Sequence, residues 1–498
     1  MALERNPHAN GKPLILRAET ACSSHLRTDR RASPQAWFAF ANRYTRPMNV
    51  HRALLAGLGL LLLAAPVAAR DWHVRTDGND SADGTSATPL ASLRRALQLA
   101  APGDVVRVHG GTYFETAPID ANAAATAGMP IVVEPADGSR PVFDASGMAA
   151  DSNFVRIGGS HYVFRGLEFR NARRTTFSVW GGQDITIEDC WIHHGVRGAL
   201  YPGNGAVRIR FVGNRVWRNV QVNNPPVEGS GWPSAVNLSD DGDVVAGNRV
   251  FENFGEGIGV YGRQHAVRDN VVHDNWSVDI YVSNAELSAI ERNTLLSVGT
   301  AEFLRFGAAA IGINLANESA SDPIRLDAIR VANNLIGGPR RRCLGQWNGY
   351  SGVPMHAVEI RANTLACAAS DVAWHADAGD HGGSMFAGNL VWQRNPARPV
   401  ASVAGSTGIG YDHNLWFGGD ALPAAVQGAG DVLADPQLAN ADALDADGFT
   451  PIASSPAVDA AAPASIADDL FGLTRPYGPA PDLGAIEHRP LLLRDGFE

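Results

Sequence analysis

Between about residue 150 and residue 420, short apolar pairs alternate with polar turn residues, and an asparagine repeatedly opens the apolar pair. The motif reads Asn214-Arg-Val-Trp217, Asn248-Arg-Val-Phe251, Asn270-Val-Val-His273, Asn293-Thr-Leu-Leu296, then Asn334-Leu-Ile336, Asn363-Thr-Leu365, Asn389-Leu-Val-Trp392 and Asn414-Leu-Trp-Phe417. Cys190-Trp-Ile-His193 fills the same slot one repeat earlier. The steps from Cys190 onward are 24, 34, 22, 23, 41, 29, 26 and 25 residues. A period in the low twenties, lengthened where loops are inserted, marks a solenoid. A β-rich repeat of this length has room for about three short strands and three turns, which is one coil of a parallel β-helix.

The segments between asparagine slots align as stacked strands: Phe177–Trp180, Val236–Ser239, Ile258–Tyr261, Ile280–Ser283 and Ile313–Ala316. Alternation turns Ile258, Val260, Ile280 and Val282 inward and their neighbours outward. The asparagines are predicted to hydrogen-bond along the axis at roughly 4.8 Å per coil, and their tolerance of left-handed backbone suits the turn. They are read as structural. Ahead of the repeats, Leu90, Leu93, Ala96, Leu97 and Ala100 keep helical spacing, and Pro102-Gly103 stops that helix. It is expected to cover the open end of the solenoid, whose strand edges would otherwise recruit other chains.

These features together predict an all-β chain, a right-handed parallel β-helix (solenoid) with a short N-terminal capping helix. The segment Trp72–Tyr113, the repeats Glu256–Gly262 and Val272–Tyr281, and the terminal Asp435-Pro436, Ser455–Asp459, Arg475-Pro476 and Asp482–Glu487 carry a resemblance. They resemble secreted bacterial right-handed parallel β-helix repeat proteins, including polysaccharide lyases, with a choice-of-anchor-type C-terminal tail. The expected organisation is a leader at 1–47, a signal peptide at 48–69, the capped β-helix at 70–430, further coils and a tail at 431–490, and a tag at 491–498. The signal peptide is read from Met48-Asn-Val-His-Arg52, the apolar run Leu54–Leu63 and the small residues ending at Ala69. That run is too short for a membrane span.

Composition narrows the chemistry. A net charge of −10 argues against a nucleic-acid partner and leaves acidic cation sites open. Lys12 is the sole lysine, so the exported chain has no lysine to act as a base. Cys190 is expected to be a buried free thiol, and Cys343 and Cys367 are a candidate pair in an exported protein. A monomer is expected.

Candidate chemistry sits on one outward face. One column is read as Trp180, Tyr201, Ser239, Tyr261 and Ser283, and its neighbour as Ser178, Asn237, Gly259, Tyr281 and Asn314. Aromatic rings beside hydrogen-bonding groups suit a sugar chain, so Trp180, Tyr201, Asn237, Tyr261 and Asn314 are the candidate substrate-binding residues. Insertions at 221–233 and 302–322 are placed as walls of a groove. Asp240, Asp241 and Asp243 are candidate ligands for calcium (Ca2+). The resemblance implies calcium-assisted β-elimination of a uronate-containing polysaccharide, with a lysine or arginine as base. With lysine absent, Asp279, Tyr281, Glu256 and Arg263 form the candidate catalytic set, with His273 a further candidate base. Two other readings stand beside this one. Glu256 and Asp279 as a carboxyl pair would serve glycoside hydrolysis, although the Asn-Thr-Asp and Gly-His-Gly set of polygalacturonases is missing. A non-catalytic glycan-binding or cell-surface β-helix would need neither.

Overall fold

The computed structural model describes residues 69–226, 233–305, 309–463 and 466–490. The expected leader, the signal peptide starting at Met48 and the terminal tag fall outside the described residues. All described residues belong to one compact unit that begins at Pro66.

Each coil contributes one strand to each of three rows. The first row is a parallel sheet of 13 strands running from Asp71–Val74 to Ser406–Asp412. The second row includes Glu168–Arg170, Trp191–His193, Arg215–Trp217, Arg249–Phe251 and Val271–His273. The third includes Ile119–Ala121, Val155–Ile157, Phe177–Trp180, Leu200–Gly203, Ser234–Leu238, Glu256–Arg263 and Val278–Glu286. Rows two and three merge into one 21-stranded ladder because the long strands Leu335–Trp347 and Thr364–His375 run through both. Inward positions such as Ile192, Val216, Val250, Val260, Ile280 and Val282 are fully buried in one continuous core.

The asparagine ladder forms between the first and second rows. Each Asn Oδ1 accepts the backbone N–H of the preceding coil's asparagine, at 2.8 Å for Asn214 to Asn248 and 2.9 Å for Asn248 to Asn270. The series starts at the Cys190 N–H and ends on Asp431. Buried backbone donors that the turn would orphan are thus satisfied coil by coil. The left-handed residue is the one before each ladder position, Asp189 before Cys190 and Gly213, Gly247, Asp269 and Arg292 before asparagines, not the asparagine as expected. A second ladder of Asn219, Asn253 and Asn275 runs between the second and third rows and ends on Asp279.

The N-terminal helix is Leu93–Leu99, capped by Ser92, whose hydroxyl accepts the Arg95 N–H at 3.1 Å. Leu93, Ala96 and Leu97 bury against the first coils. Cys343 and Cys367, on adjacent coils with Cα atoms 6.0 Å apart, form a disulfide, and Cys190 is free and buried. Residues 431–490 carry no extended strand among those described; they fold back over the outside of the second row. There Phe449, Leu470 and Ile486 pack on Leu296, Leu335 and Ala366. Arg475 pairs with Glu487 at 2.8 Å and donates to Asn333 Oδ1, which fastens the segment.

Candidate functional site

The outward face of the third row carries a groove of about 1100 Å³ across successive coils. Strand register places Asp120, Arg156, Ser178 and Tyr201 in one column, which continues through Asn237, Gly259, Tyr281 and Asn314. Tyr201 therefore stands beside Ser178 and not in the Trp180 column, where Gly203 takes the slot opposite Trp180. The sequence alignment is two residues out; Tyr201 points outward in either register, so alternation alone does not separate the two columns. Trp180 (57% exposed) and Tyr201 (49% exposed) offer ring faces to the groove, with Asn237 and Tyr261 among its other walls. Asn314 and Tyr281 continue the column beyond the groove and are nearly buried. Pro233 and Asp322, at the ends of the two insertions, line the groove as expected of walls.

Arg174 and Arg197 also line it, on adjacent coils, with the Arg197 N–H bonded to the Arg174 carbonyl. Both are exposed, and neither meets a carboxylate among the described residues. Arg156, by contrast, is held bidentate by Asp120 at 2.6 Å on both arms. Sequence reading missed Arg174. The signal was its place in the turn before Thr175, one coil below Arg197.

At one end of the groove a carboxyl cluster closes around two tyrosines. Ser234 and Glu256 are register partners, and the Ser234 hydroxyl donates to Glu256 Oε2 at 2.7 Å. Gly259 leaves the space above them: a Cβ there would lie 2.2 Å from Ser234 Oγ and 2.9 Å from the Tyr261 ring. Tyr261 lies beside Ser234 and Glu256, both of which act on its hydroxyl. A bulge between Val260 and Gly262 re-aims Tyr261. Gly262 sits at φ +93, where a Cβ would meet the Asp240 carbonyl at 2.5 Å. Next along the column, the Tyr281 hydroxyl donates to Glu318 Oε2 at 2.9 Å, and the two tyrosine rings stand edge to face at 6.3 Å. Burial pushes the Glu256 carboxyl up to about 8, with the Glu318 charge adding to it and Ser234 and Arg305 opposing. Burial likewise raises both tyrosines far above their ordinary range. A carboxyl raised that far by burial keeps its proton at neutral pH.

Asp279 does not join this cluster. It is fully buried; its Oδ1 accepts Asn275 Nδ2 at 2.8 Å and its Oδ2 takes Arg340 at 2.6 Å. It ends the second ladder, so the Glu256–Asp279 pair expected from adjacent coils does not form; the carboxylate whose charge acts on Glu256 is Glu318, held by the Tyr281 hydroxyl. Arg263 is exposed, is ion-paired with Glu286 and lies outside the groove lining. His273 bonds Asp274 at 2.9 Å on the second row, away from the groove.

Asp240, Asp241 and Asp243 do not converge. Asp240 turns in left-handed backbone toward the Gly205 N–H, while Asp243 points into the interior and accepts the Ile209 N–H at 2.8 Å. Among the described residues, no three His, Cys, Asp or Glu side chains are grouped to hold a metal. The set does not fit calcium. Asp243 belongs to a third polar ladder with His265 and Ser288. His265 accepts from the Asp243 N–H at Nδ1 and faces the Tyr261 carbonyl with Nε2, so it is neutral, and burial lowers its pKa to about 4. Burial raises Asp243 to about 7, and its Oδ2 has no hydrogen-bond partner. Because the folded pKa lies above the unfolded one, this carboxyl's stability contribution is intact below pH 4 and is lost as pH rises through 7. A change from 3.8 to about 7 is worth about 4 kcal/mol. Asp243→Asn is expected to leave stability at pH 4 unchanged and raise it by a few kcal/mol at pH 8, read by urea unfolding at both pH values.

Comparison with known proteins follows the same coils. Residues 72–290 match the family model described as "Pel9A-like, right handed beta helix region". Pectate lyase L of Dickeya chrysanthemi is 26% identical over 224 residues, covering 42% of this chain and 50% of that protein. Pectate lyase PEL9 of Emericella nidulans is 36% identical over 78 residues, covering 16% and 19%. The chain thus spans at most about half the length of these curated relatives. Among solved structures, pectate lyase Pel9A aligns over 84% of this chain and 96% of its own, at 19% identity and a TM-score of 0.49. XylC in complex with xylose aligns over 74% and 87%, at 10% identity and a TM-score of 0.51, a likeness of fold. The resemblance to polysaccharide-lyase-like right-handed parallel β-helix repeat proteins holds over these coils. Among the described residues, no helix is long and apolar enough to cross a membrane.

Proposed function

We propose that the protein binds an acidic polysaccharide in the third-row groove and cleaves it by β-elimination at the Glu256–Tyr281 end. The observation that carries this reading is the groove itself. Exposed Trp180 and Tyr201 rings stand beside two guanidinium groups, Arg174 and Arg197, that meet no carboxylate among the described residues, and the groove ends on Ser234 and Tyr261, behind which the raised Glu256 carboxyl is buried. Rings take the C–H faces of sugars, and planar guanidinium groups take carboxylates in bidentate fashion. The similarity to pectate lyases supports a uronate polymer.

In this reading an arginine neutralises the uronate carboxylate, which acidifies the α-proton. The Tyr281–Glu318 pair accepts that proton as the C–H bond breaks, a double bond forms, and the glycosidic C–O bond cleaves. Glu256 gives its proton to the leaving oxygen. No step is routed through calcium, because the three aspartates are apart. The Cys343–Cys367 disulfide supports export to an oxidising compartment.

The test is incubation with uronate polymers, with and without chelator. New ultraviolet absorbance from unsaturated ends is expected, and it should survive chelation. Reducing ends without that absorbance would replace elimination by hydrolysis, which the Glu256–Glu318 carboxyl pair also favours. Retention on polymer without any product would leave a binding protein. Replacing both Arg174 and Arg197 with glutamine is expected to raise KM for the charged polymer about tenfold, the scale of a lost charge-assisted hydrogen bond. The defect should shrink at high salt, where screening weakens the wild-type contact too.

A further inference from the structure

A second exposed face remains without a role. On the outside of the second row, His193, Trp217, Phe251 and His273 stack ring on ring, with centroids 4.2, 6.1 and 5.3 Å apart and planes within 22°, 9° and 12°. Their faces are used up by one another, so the stack is a rigid spine. Beside it runs the in-register column Trp191, Arg215, Arg249. The Arg215 guanidinium lies 5.3 Å from both the Trp217 and Phe251 rings, and that of Arg249 lies 5.1 Å from Phe251. Both arginines are exposed, and neither has a carboxylate partner among the described residues. The acids close by are engaged elsewhere: Glu168 with His193 at 3.3 Å, Asp274 with His273 and Ser297, and Glu252 with Arg218. Trp191 is 38% exposed, under Arg140 at 4.6 Å.

The same row changes character further along. From Leu296 onward its outer column runs through Gly337, Ala366 and Trp392 and is covered by the chain's own 431–490 segment. The covered half has its own cation, Arg394 over Trp392, but that one is paired with Asp442, whereas the cations of the open half meet no carboxylate among the described residues.

We infer that this open half is a second, non-catalytic binding face for an acidic polysaccharide strand. Charge complementarity selects the occupant. The chain carries a net charge of −10, yet here like charges stand on successive coils, about 4.8 Å apart, and pair with no carboxylate among the described residues. The ring spine fixes them, so little side-chain entropy is lost when an anion docks. A fixed row of guanidinium groups along a straight axis fits a linear polymer bearing a carboxylate on each sugar.

Affinity electrophoresis of the full chain through gels containing polygalacturonate, with a neutral glucan as control, tests this. The Arg215→Gln/Arg249→Gln double variant is the probe, measured with the native groove and with Arg174→Gln/Arg197→Gln in the groove. Retention is expected to weaken about tenfold or more in both backgrounds, with no change on neutral glucan. Cleavage of short oligouronates should stay at the wild-type rate, which separates this face from the groove reading. Arg215→Lys/Arg249→Lys should recover part of the retention, a response that a mere folding defect would not give. Unchanged retention in both backgrounds overturns the proposal. So does complete loss of retention from the groove substitutions alone. A variant that changes sedimentation while polymer binding stays intact would make the face an interface between copies, and that also overturns it.

Discussion

Glu256→Gln is expected to make the protein more stable and catalytically dead. Glu256 is buried, and its carboxyl is raised from 4.5 to about 8. A folded pKa above the unfolded one means that stability is complete below about pH 4.5 and declines as pH rises toward 8. The difference corresponds to several kcal/mol, on the order of 5. Glutamine keeps the shape, its carbonyl still accepts from Ser234, and it cannot ionise. The variant should therefore match wild type in thermal or urea unfolding at pH 4 and exceed it at pH 8. Cleavage should fall by about 10²- to 10⁴-fold, the usual contribution of a positioned proton donor. Opposite signs in the two assays are what mark a residue kept for chemistry at a cost in stability. Equal stability at pH 8 together with normal turnover would remove Glu256 from the mechanism. Full activity with increased stability would reduce it to a tolerated buried acid.

What the sequence displays and what it conceals follow from range. The asparagine repeat is a one-dimensional signal: each Asn meets its counterpart one coil away, so period alone fixes the ladder and the rows. Asn219, Asn253 and Asn275 carry the same steps five residues later, and they were legible for the same reason, though they were not singled out. The outward columns were mostly legible too. Tyr201 was misplaced because a two-residue slip keeps every outward residue outward, so alternation cannot tell the Ser178 column from the Trp180 column. The active-end cluster was only half legible. Glu256, Tyr261 and Tyr281 lie on aligned strands, but Glu318 arrives from the insertion, and no periodicity reports where a loop returns. The calcium motif failed on direction. Spacing shows three carboxylates within four residues, yet the turn sends Asp243 into the interior and Asp240 outward. Asp279 was misread for a related cause: its partner Arg340 is 61 residues away, within the long strand Leu335–Trp347.

That partner sets the second large expectation. Arg340 is wholly buried and donates to Asp279, to the carbonyls of Gly337 and Ala310, and to that of Leu295 at 2.8 Å. The pair joins the end of the second asparagine ladder to a strand two coils on. Burial raises the Asp279 carboxyl above its ordinary value, and the Arg340 charge opposes part of that. Removing either partner strands a buried ion, at a cost of about 3–5 kcal/mol. Arg340→Met and Asp279→Asn are each expected to lower stability by that amount in urea unfolding. The double variant should lose less than the sum, because neither side then carries an uncompensated charge. Turnover per folded molecule, measured at low temperature where both variants are still folded, should stay within a few-fold of wild type. If Asp279→Asn instead unfolded like wild type while turnover collapsed, Asp279 would be the reacting carboxylate that its place in the sequence first implied. Glu318 would then lose its assignment as partner of Glu256.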